Sequence, residues 1–155
     1  MFMSVDSVKA FFKERNLNYK VLELDHLTST VELAAKALNL EEGQIAKTLA
    51  FKLQNDEKLL VVVRGDARID NKKFRQKFMK GKMLSPSEVE LETGHPVGGV
   101  CPFGLSKNIP IYLDISLKTF TEIFPAAGAI NAAVKIPTDE LCNIVKAEWV
   151  DICKQ

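Results

Sequence analysis

Leu59-Leu60-Val61-Val62-Val63 is an unbroken apolar run with three β-branched members. A strand of that composition has no face to offer to water, so it must be covered on both sides and flanked by other strands. No other segment restricts the fold as much. Just upstream, Lys47 to Leu53 alternates, with Leu49, Phe51 and Leu53 on one face. The residues between, Gln54-Asn55-Asp56-Glu57, are polar and turn-forming. The two runs therefore predict a hairpin whose second strand is central.

Helical signals surround this hairpin. Ser4 caps a predicted first helix with Val5, Val8 and Phe12 on one face and Asn16 as its stop. Tyr19 to Leu24 reads as a strand. Ser29-Thr30-Val31-Glu32 fits a capping box before a short helix lined by Ala34, Ala37 and Leu38. Asp70 caps a helix carrying Phe74 and Phe78, and Ser85-Pro86-Ser87-Glu88 opens another. Ile109 to Leu113, Ile123 to Ala126 and Ala132 to Ile136 read as short strands, and Pro137-Thr138-Asp139-Glu140 starts a last helix through Val145. Helices and strands mix without regular βαβ alternation, which predicts an α+β fold around a mixed sheet.

At 155 residues the chain has the length of one domain, 1–155, and it shows no repeat, linker or low-complexity tract. No apolar run approaches the roughly 20 residues of a membrane span. The first residues lack the basic-then-apolar pattern of a signal peptide. Cys101, Cys142 and Cys153 are odd in number and have no CxxC spacing, and the histidines are only His26 and His95. A disulfide framework and a Cys- or His-based metal site are not expected. A reducing, cytoplasmic location fits.

Thr93 to Gly104 holds four of the eight glycines and two of the six prolines. Such a loop presents backbone N–H and C=O groups at fixed positions, as oxyanion stabilisation requires, or it is simply a tight connection. Gly99-Val100-Cys101-Pro102-Phe103-Gly104 has the glycine spacing of a phosphate-binding loop. Leu105-Ser106 follows instead of Lys-Ser/Thr, and Pro102 removes a donor, so nucleotide hydrolysis is excluded. Lys47 shares a face with Leu49 and Phe51. It either meets a cleft or a partner there, or it reaches water at the strand end.

Charge is uneven. Arg64, Arg68, Lys72, Lys73, Arg75, Lys77, Lys80 and Lys82 face only Asp66 and Asp70 in the same stretch. That gives +6 locally and leaves −5 for the rest of a chain whose net charge is +1. A basic face of this kind receives phosphates or is a solvated surface. Pro125 to Ala133 is rich in small residues, with Asn131 its polar member. His95 and Cys101 are close enough in sequence to suggest a thiol hydrolase, although no orienting third group is evident.

Lys47 in Ile45-Ala46-Lys47-Thr48-Leu49, followed by Val61-Val62-Val63-Arg64-Gly65-Asp66 and by Gly98-Gly99-Val100-Cys101-Pro102-Phe103-Gly104, resembles the YbaK/prolyl-tRNA synthetase-associated domain family. These are EbsC-like trans-editing aminoacyl-tRNA deacylases. The resemblance covers nearly the whole chain. It implies a mixed, partly barrel-like sheet flanked by helices. It also implies hydrolysis of the ester joining a wrong, small amino acid to the acceptor end of tRNA. No cofactor or metal is implied. An aminoacyl-tRNA synthetase is the expected protein partner, with the chain a monomer or weak dimer. By the same resemblance Lys47 is the pocket lysine, and Gly98, Gly99 and Pro102 form the GxxxP loop around the aminoacyl group. Thr30, His95, Cys101, Phe103, Gly128 and Asn131 are carried over as substrate-binding positions. Arg64, Arg68, Lys72, Lys73 and Lys77 are expected to meet the tRNA. A non-catalytic module binding RNA ends on the same fold, and a Cys101-dependent thiol hydrolase, are the alternatives.

Overall fold

The computed structural model describes residues 4–25, 28 and 30–155. Its centre is the expected hairpin, β2 (Ile45–Leu53) against β3 (Lys58–Arg64), with Lys47 opposite Val63. Strand β3 is covered on both faces. Leu59, Val61 and Val63 pack with Phe51, Phe74 and Ile152, while Val62 packs against Val8 and Leu141 in the main core. Burying each such side chain contributes about 1.5–3 kcal/mol.

The sheet continues from β3 to β5 (Ile111–Asp114) and β9 (Glu148–Val150), both joined in parallel. From the other edge of β2 it continues to β6 (Glu122–Pro125), parallel, and β8 (Ile136–Pro137), antiparallel. Strand β4 (Gly81–Met83) also pairs with β2. A separate antiparallel pair joins β1 (Val21–Glu23) to β7 (Ala132–Val134). The result is the mixed, curled, partly barrel-like α+β domain that the sequence predicts.

Helix α1 (Ser4–Glu14) buries Val5, Val8 and Phe12 as expected, and Asn16 ends it in the left-handed region at φ 55°. Thr30 caps α2 (Val31–Leu38), its hydroxyl accepting from Leu33 N–H. The Ser29 part of the expected capping box lies outside the described residues. The buried positions of α2 are Ala34 and Ala35, so Ala37 is not the inward residue. Asp70 caps α3 (Asn71–Lys77), and Ser85 with Glu88 forms a complete capping box on α4 (Pro86–Thr93). Helix α5 (Thr138–Val145) closes the main core.

Three strand expectations need correction. The first strand is shorter than Tyr19 to Leu24. Ala132 to Ile136 splits into β7 and β8 because Lys135 turns outward between two different partners. Strands β4 and β9 were not expected, since three-residue edges carry no usable alternation.

Candidate active site

The free edge of β2 is interrupted. Strand β6 pairs with it only at Ile45 and Ala46, and β4 only at Phe51 to Leu53. Each neighbour then leaves the edge. Strand β6 ends at Pro125, and Ala126 bridges to Ala133. On the β4 side, Leu84 N–H donates to Ala50 C=O and Ser85 then starts α4. Lys47, Thr48 and Leu49 are left without a strand partner on that edge.

A cavity of about 130 Å³ opens at this gap. Thr48, Gly98 and Val100 line it, with Ala126, Ala132 and Ala133 along the side of β7. Lys47 and the α2 cap Thr30 also line it. It is well below the roughly 300–1,000 Å³ of drug-sized ligand pockets, so it suits a small group.

Lys47 is half-buried and donates from Nζ to the Ala67 carbonyl at 2.6 Å. Burial pulls its pKa below the ordinary lysine value, and Arg68 acts in the same direction, while Cys153 and Asp66 oppose. One of its three ammonium donors is used by Ala67.

Thr48 was not singled out from the sequence, because a threonine in a strand is ordinary. In the structure its Oγ1 is the buried side-chain oxygen that finds no hydrogen-bond partner among the described residues. The other two hydroxyls on the cavity wall are engaged. Thr28 donates to Ile130 C=O and Thr30 accepts from Leu33 N–H.

The glycine-rich loop reaches the cavity through one tight turn. Gly99 N–H donates to Pro96 C=O at 2.9 Å, and Gly98 sits at φ 91°, the left-handed third position that favours glycine. Gly99 packs backbone to backbone on Ala129, and its carbonyl accepts from Gly128 N–H. Gly99 and Gly128 thus hold two loops together without lining the cavity.

The rest of the loop goes elsewhere. Pro102 lines a separate, larger groove beside α1, with Ser7 and Phe11. Phe103 is fully buried against Phe12, its ring centroid 4.9 Å away. His95 is fully buried, Nε2–H donating to Phe103 C=O at 2.6 Å and Nδ1 accepting from the Ser4 hydroxyl. Burial holds its pKa below the ordinary histidine value, so the ring is neutral. Cys101 is buried behind it, and burial pushes its thiol up to about 12.

His95, Cys101 and Phe103, expected at the substrate, are placed in the core, where they clamp the loop and do not line the cavity. The same geometry weighs against the thiol-hydrolase alternative: His95 Nε2, 3.6 Å from Cys101 Sγ, donates its proton to Phe103 C=O, and the thiol is fully buried. Asn131 also has a tethering role, its amide donating to Leu24 C=O at 3.0 Å. In the native protein, a thiol reagent at neutral pH should label Cys142 at most. Cys101 and Cys153 should react only on unfolding, which mass spectrometry of the labelled peptides checks.

The basic segment is partly neutralised. Arg64 forms a two-pronged pair with Asp66 at 2.6 and 3.0 Å and also binds Thr119. Lys73 binds Asp151 and Lys77 binds Glu148. These three are tied to acidic or hydroxyl partners on the surface while keeping part of each side chain exposed. Arg68, Lys72 and Arg75 are exposed and form no ion pair among the described residues.

The profile of the aminoacyl-tRNA editing domain matches residues 25–144, a span that holds the cavity residues and the whole glycine-rich loop. The chain belongs to the aminoacyl-tRNA editing domain family. A relative within reach of this editing domain is the "Uncharacterized protein YwhH" of Bacillus subtilis, 45% identical over 98% of both chains. The "Putative Cys-tRNA(Pro)/Cys-tRNA(Cys) deacylase EbsC" of Enterococcus faecalis is 26% identical, over 90% of this chain and 88% of its own. A proline–tRNA ligase of Sulfurihydrogenibium is 35% identical over 64% of this chain, which amounts to 17% of the ligase. Among solved structures, "a putative trans-editing enzyme for prolyl tRNA synthetase" superposes with a TM-score of 0.90 at 30% identity, covering 100% of this chain and 99% of that one. Editing-domain architecture thus accounts for the curled sheet. Among the described residues, no helix is long and apolar enough to cross a membrane.

Proposed function

We propose that this editing domain is a trans-acting deacylase that hydrolyses the ester between a small, mischarged amino acid of the Ala, Cys or Pro kind and the acceptor end of tRNA. The observation that carries the reading is the small cavity between the Gly98 turn and the gap in the β2 edge, with Lys47 beside it. Its small volume and alanine-rich wall favour a short side chain over a long or aromatic one. The relative named as a Cys-tRNA deacylase and the match to proline–tRNA ligases support the substrate class and a synthetase as protein partner.

In the proposed reaction a water oxygen bonds to the ester carbonyl carbon. The C–O bond to the ribose breaks, the ribose oxygen takes up a proton, and the free amino acid leaves. The N–H groups of Gly98 and Val100 bond to no described residue and are the proposed donors to the oxyanion. One such donor is worth about 2.7–4 kcal/mol. Lys47 holds the phosphate or the ribose end of the terminal nucleotide by charge. The ester is already activated, so no strong base is required of the protein. Such editing is needed because one methylene discriminates by only about 1–3 kcal/mol at a synthetase.

The test is a single-turnover deacylation panel with Ala, Cys, Ser, Thr and Pro on several tRNAs. Hydrolysis of at least one small aminoacyl ester at catalytic enzyme is expected. Binding without turnover across the panel would favour the non-catalytic module. The exposed cations provide a second check. Charge reversal of Arg68, Lys72 and Arg75 to Glu should weaken tRNA binding and lower the slope of log K against log salt by about 1–2, with little change in rate at saturating tRNA. The same reversal at Lys73 or Lys77 should also weaken binding, and it breaks the surface pairs with Asp151 and Glu148 as well.

A further inference from the structure

We infer that Thr48 is a substrate-positioning residue, and that the free edge of β2 at Thr48 binds the amino-acid part of the ester as an adjoining strand would. The inference rests on the deacylase reading for the identity of the ligand, but its structural basis is independent of Lys47.

Three groups of Thr48 are available together. The hydroxyl is 92% buried by residue exposure, lines the cavity and has no partner among the described residues. A buried hydroxyl left unpaired costs free energy, and such groups are normally satisfied. The main-chain groups follow from the ladder. Leu53 N–H bonds to Glu57, toward β3, and Ala50 C=O accepts from Leu84, on the opposite edge. Backbone groups alternate between the two edges of a strand, so those of Thr48 point the same way as those of Ala50. Strand β6 has already departed at Pro125, and no described residue bonds to the Thr48 N–H or C=O.

An aminoacyl ester carries an amino donor and a carbonyl acceptor on either side of one Cα, the complement that a strand edge presents. Peptides added to sheet edges are held by these main-chain bonds. Here the gap is only three residues long, Lys47 to Leu49, so it admits one amino-acid unit. Recognition at Thr48 reads what all amino acids share. Selection by side chain is then left to the alanine-lined wall.

The experiment compares Thr48→Val, which keeps the shape without the hydroxyl, with Thr48→Ser, which keeps the hydroxyl. Binding of 3′-(alanylamino)-3′-deoxyadenosine, a non-hydrolysable amide of the acceptor end, is measured by calorimetry or NMR titration. Single-turnover deacylation and thermal unfolding are measured alongside. Thr48→Val should weaken analogue binding and slow deacylation about tenfold or more, with unchanged or higher thermal stability. Thr48→Ser should stay within about threefold of wild type in both. Equal analogue affinity in wild type and Thr48→Val, or no binding of the analogue to wild type, would overturn the assignment. Wild-type binding without hydrolysis of any ester, with the Thr48→Val loss still present, would defeat the deacylase reading alone.

Discussion

Lys47→Ala is expected to lower single-turnover deacylation at least a hundredfold while leaving the fold intact. A hundredfold is about 2.7 kcal/mol, the loss expected for one electrostatic anchor at a reacting centre. Stability should change little. The variant loses a hydrogen bond to Ala67 C=O but also relieves the burial of a charge. Lys47→Arg should be poor too, because a planar fork does not replace a compact ammonium at the same carbonyl. The pKa direction adds a pH signature. Burial lowers the Lys47 pKa, so the working cation is lost at a pH below the ordinary lysine value of 10.5. After subtraction of spontaneous ester hydrolysis, wild-type activity should fall through that window as pH rises. In Lys47→Arg any residual activity should lack that limb. Wild-type rates in Lys47→Ala across the aminoacyl panel would remove Lys47 from the mechanism.

Gly99→Ala should cost both stability and activity. A Cβ at Gly99 would lie 2.6 Å from Ala129 N and 2.8 Å from its Cα, and backbone cannot step aside as a side-chain tip can. Overpacking of this kind costs about 1–3 kcal/mol. It would push the Pro96–Gly99 turn off the loop that Gly128 N–H ties to it, and so move Gly98 and Val100 from the cavity wall. An ångström of misplacement can cost on the order of a hundredfold in rate. Urea unfolding and single-turnover assays on the same sample separate the two effects. A variant as stable and as active as wild type would show that the close approach is not needed.

Much of the fold is legible in the sequence because its signals are local. Asp70 before Asn71 and Ser85-Pro86-Ser87-Glu88 mark helix starts that side-chain oxygens enforce. Leu59 to Val63 announces a central strand through composition alone. The site is less legible because it is assembled across the chain. Gly98 and Pro102 stand four residues apart in the motif, yet one lines the small cavity and the other the groove beside α1. Between them Cys101 turns into the core, where no spacing rule predicts its burial. Lys47 draws notice as a charge on an apolar face, whereas Thr48 does not. Its significance lies in what β6 and β4 fail to do beside it, and pairing register is not written in any one segment. The pairing within the basic run is hidden for a related reason: Asp151 and Glu148, which pair with Lys73 and Lys77, lie more than seventy residues downstream.

The gap beside Thr48 also bears on how the domain avoids self-association. Bare strand edges are sticky, since their amide groups template pairing with any other chain, and proteins commonly blunt them with charge, proline or a covering element. Here the bare stretch is inside the molecule, roofed by the Gly98 turn and walled by Ala132 and Ala133. A second polypeptide cannot lie along it, because the sheet resumes at Ala46 on one side and at Phe51 on the other. Lengthening β6 by three residues would heal that seam and erase the cavity in one step, leaving a better-knit sheet with nothing to bind. Within this fold, an inert paralogue would be marked by β6 running on past the position of Pro125, whatever residue it kept at Lys47.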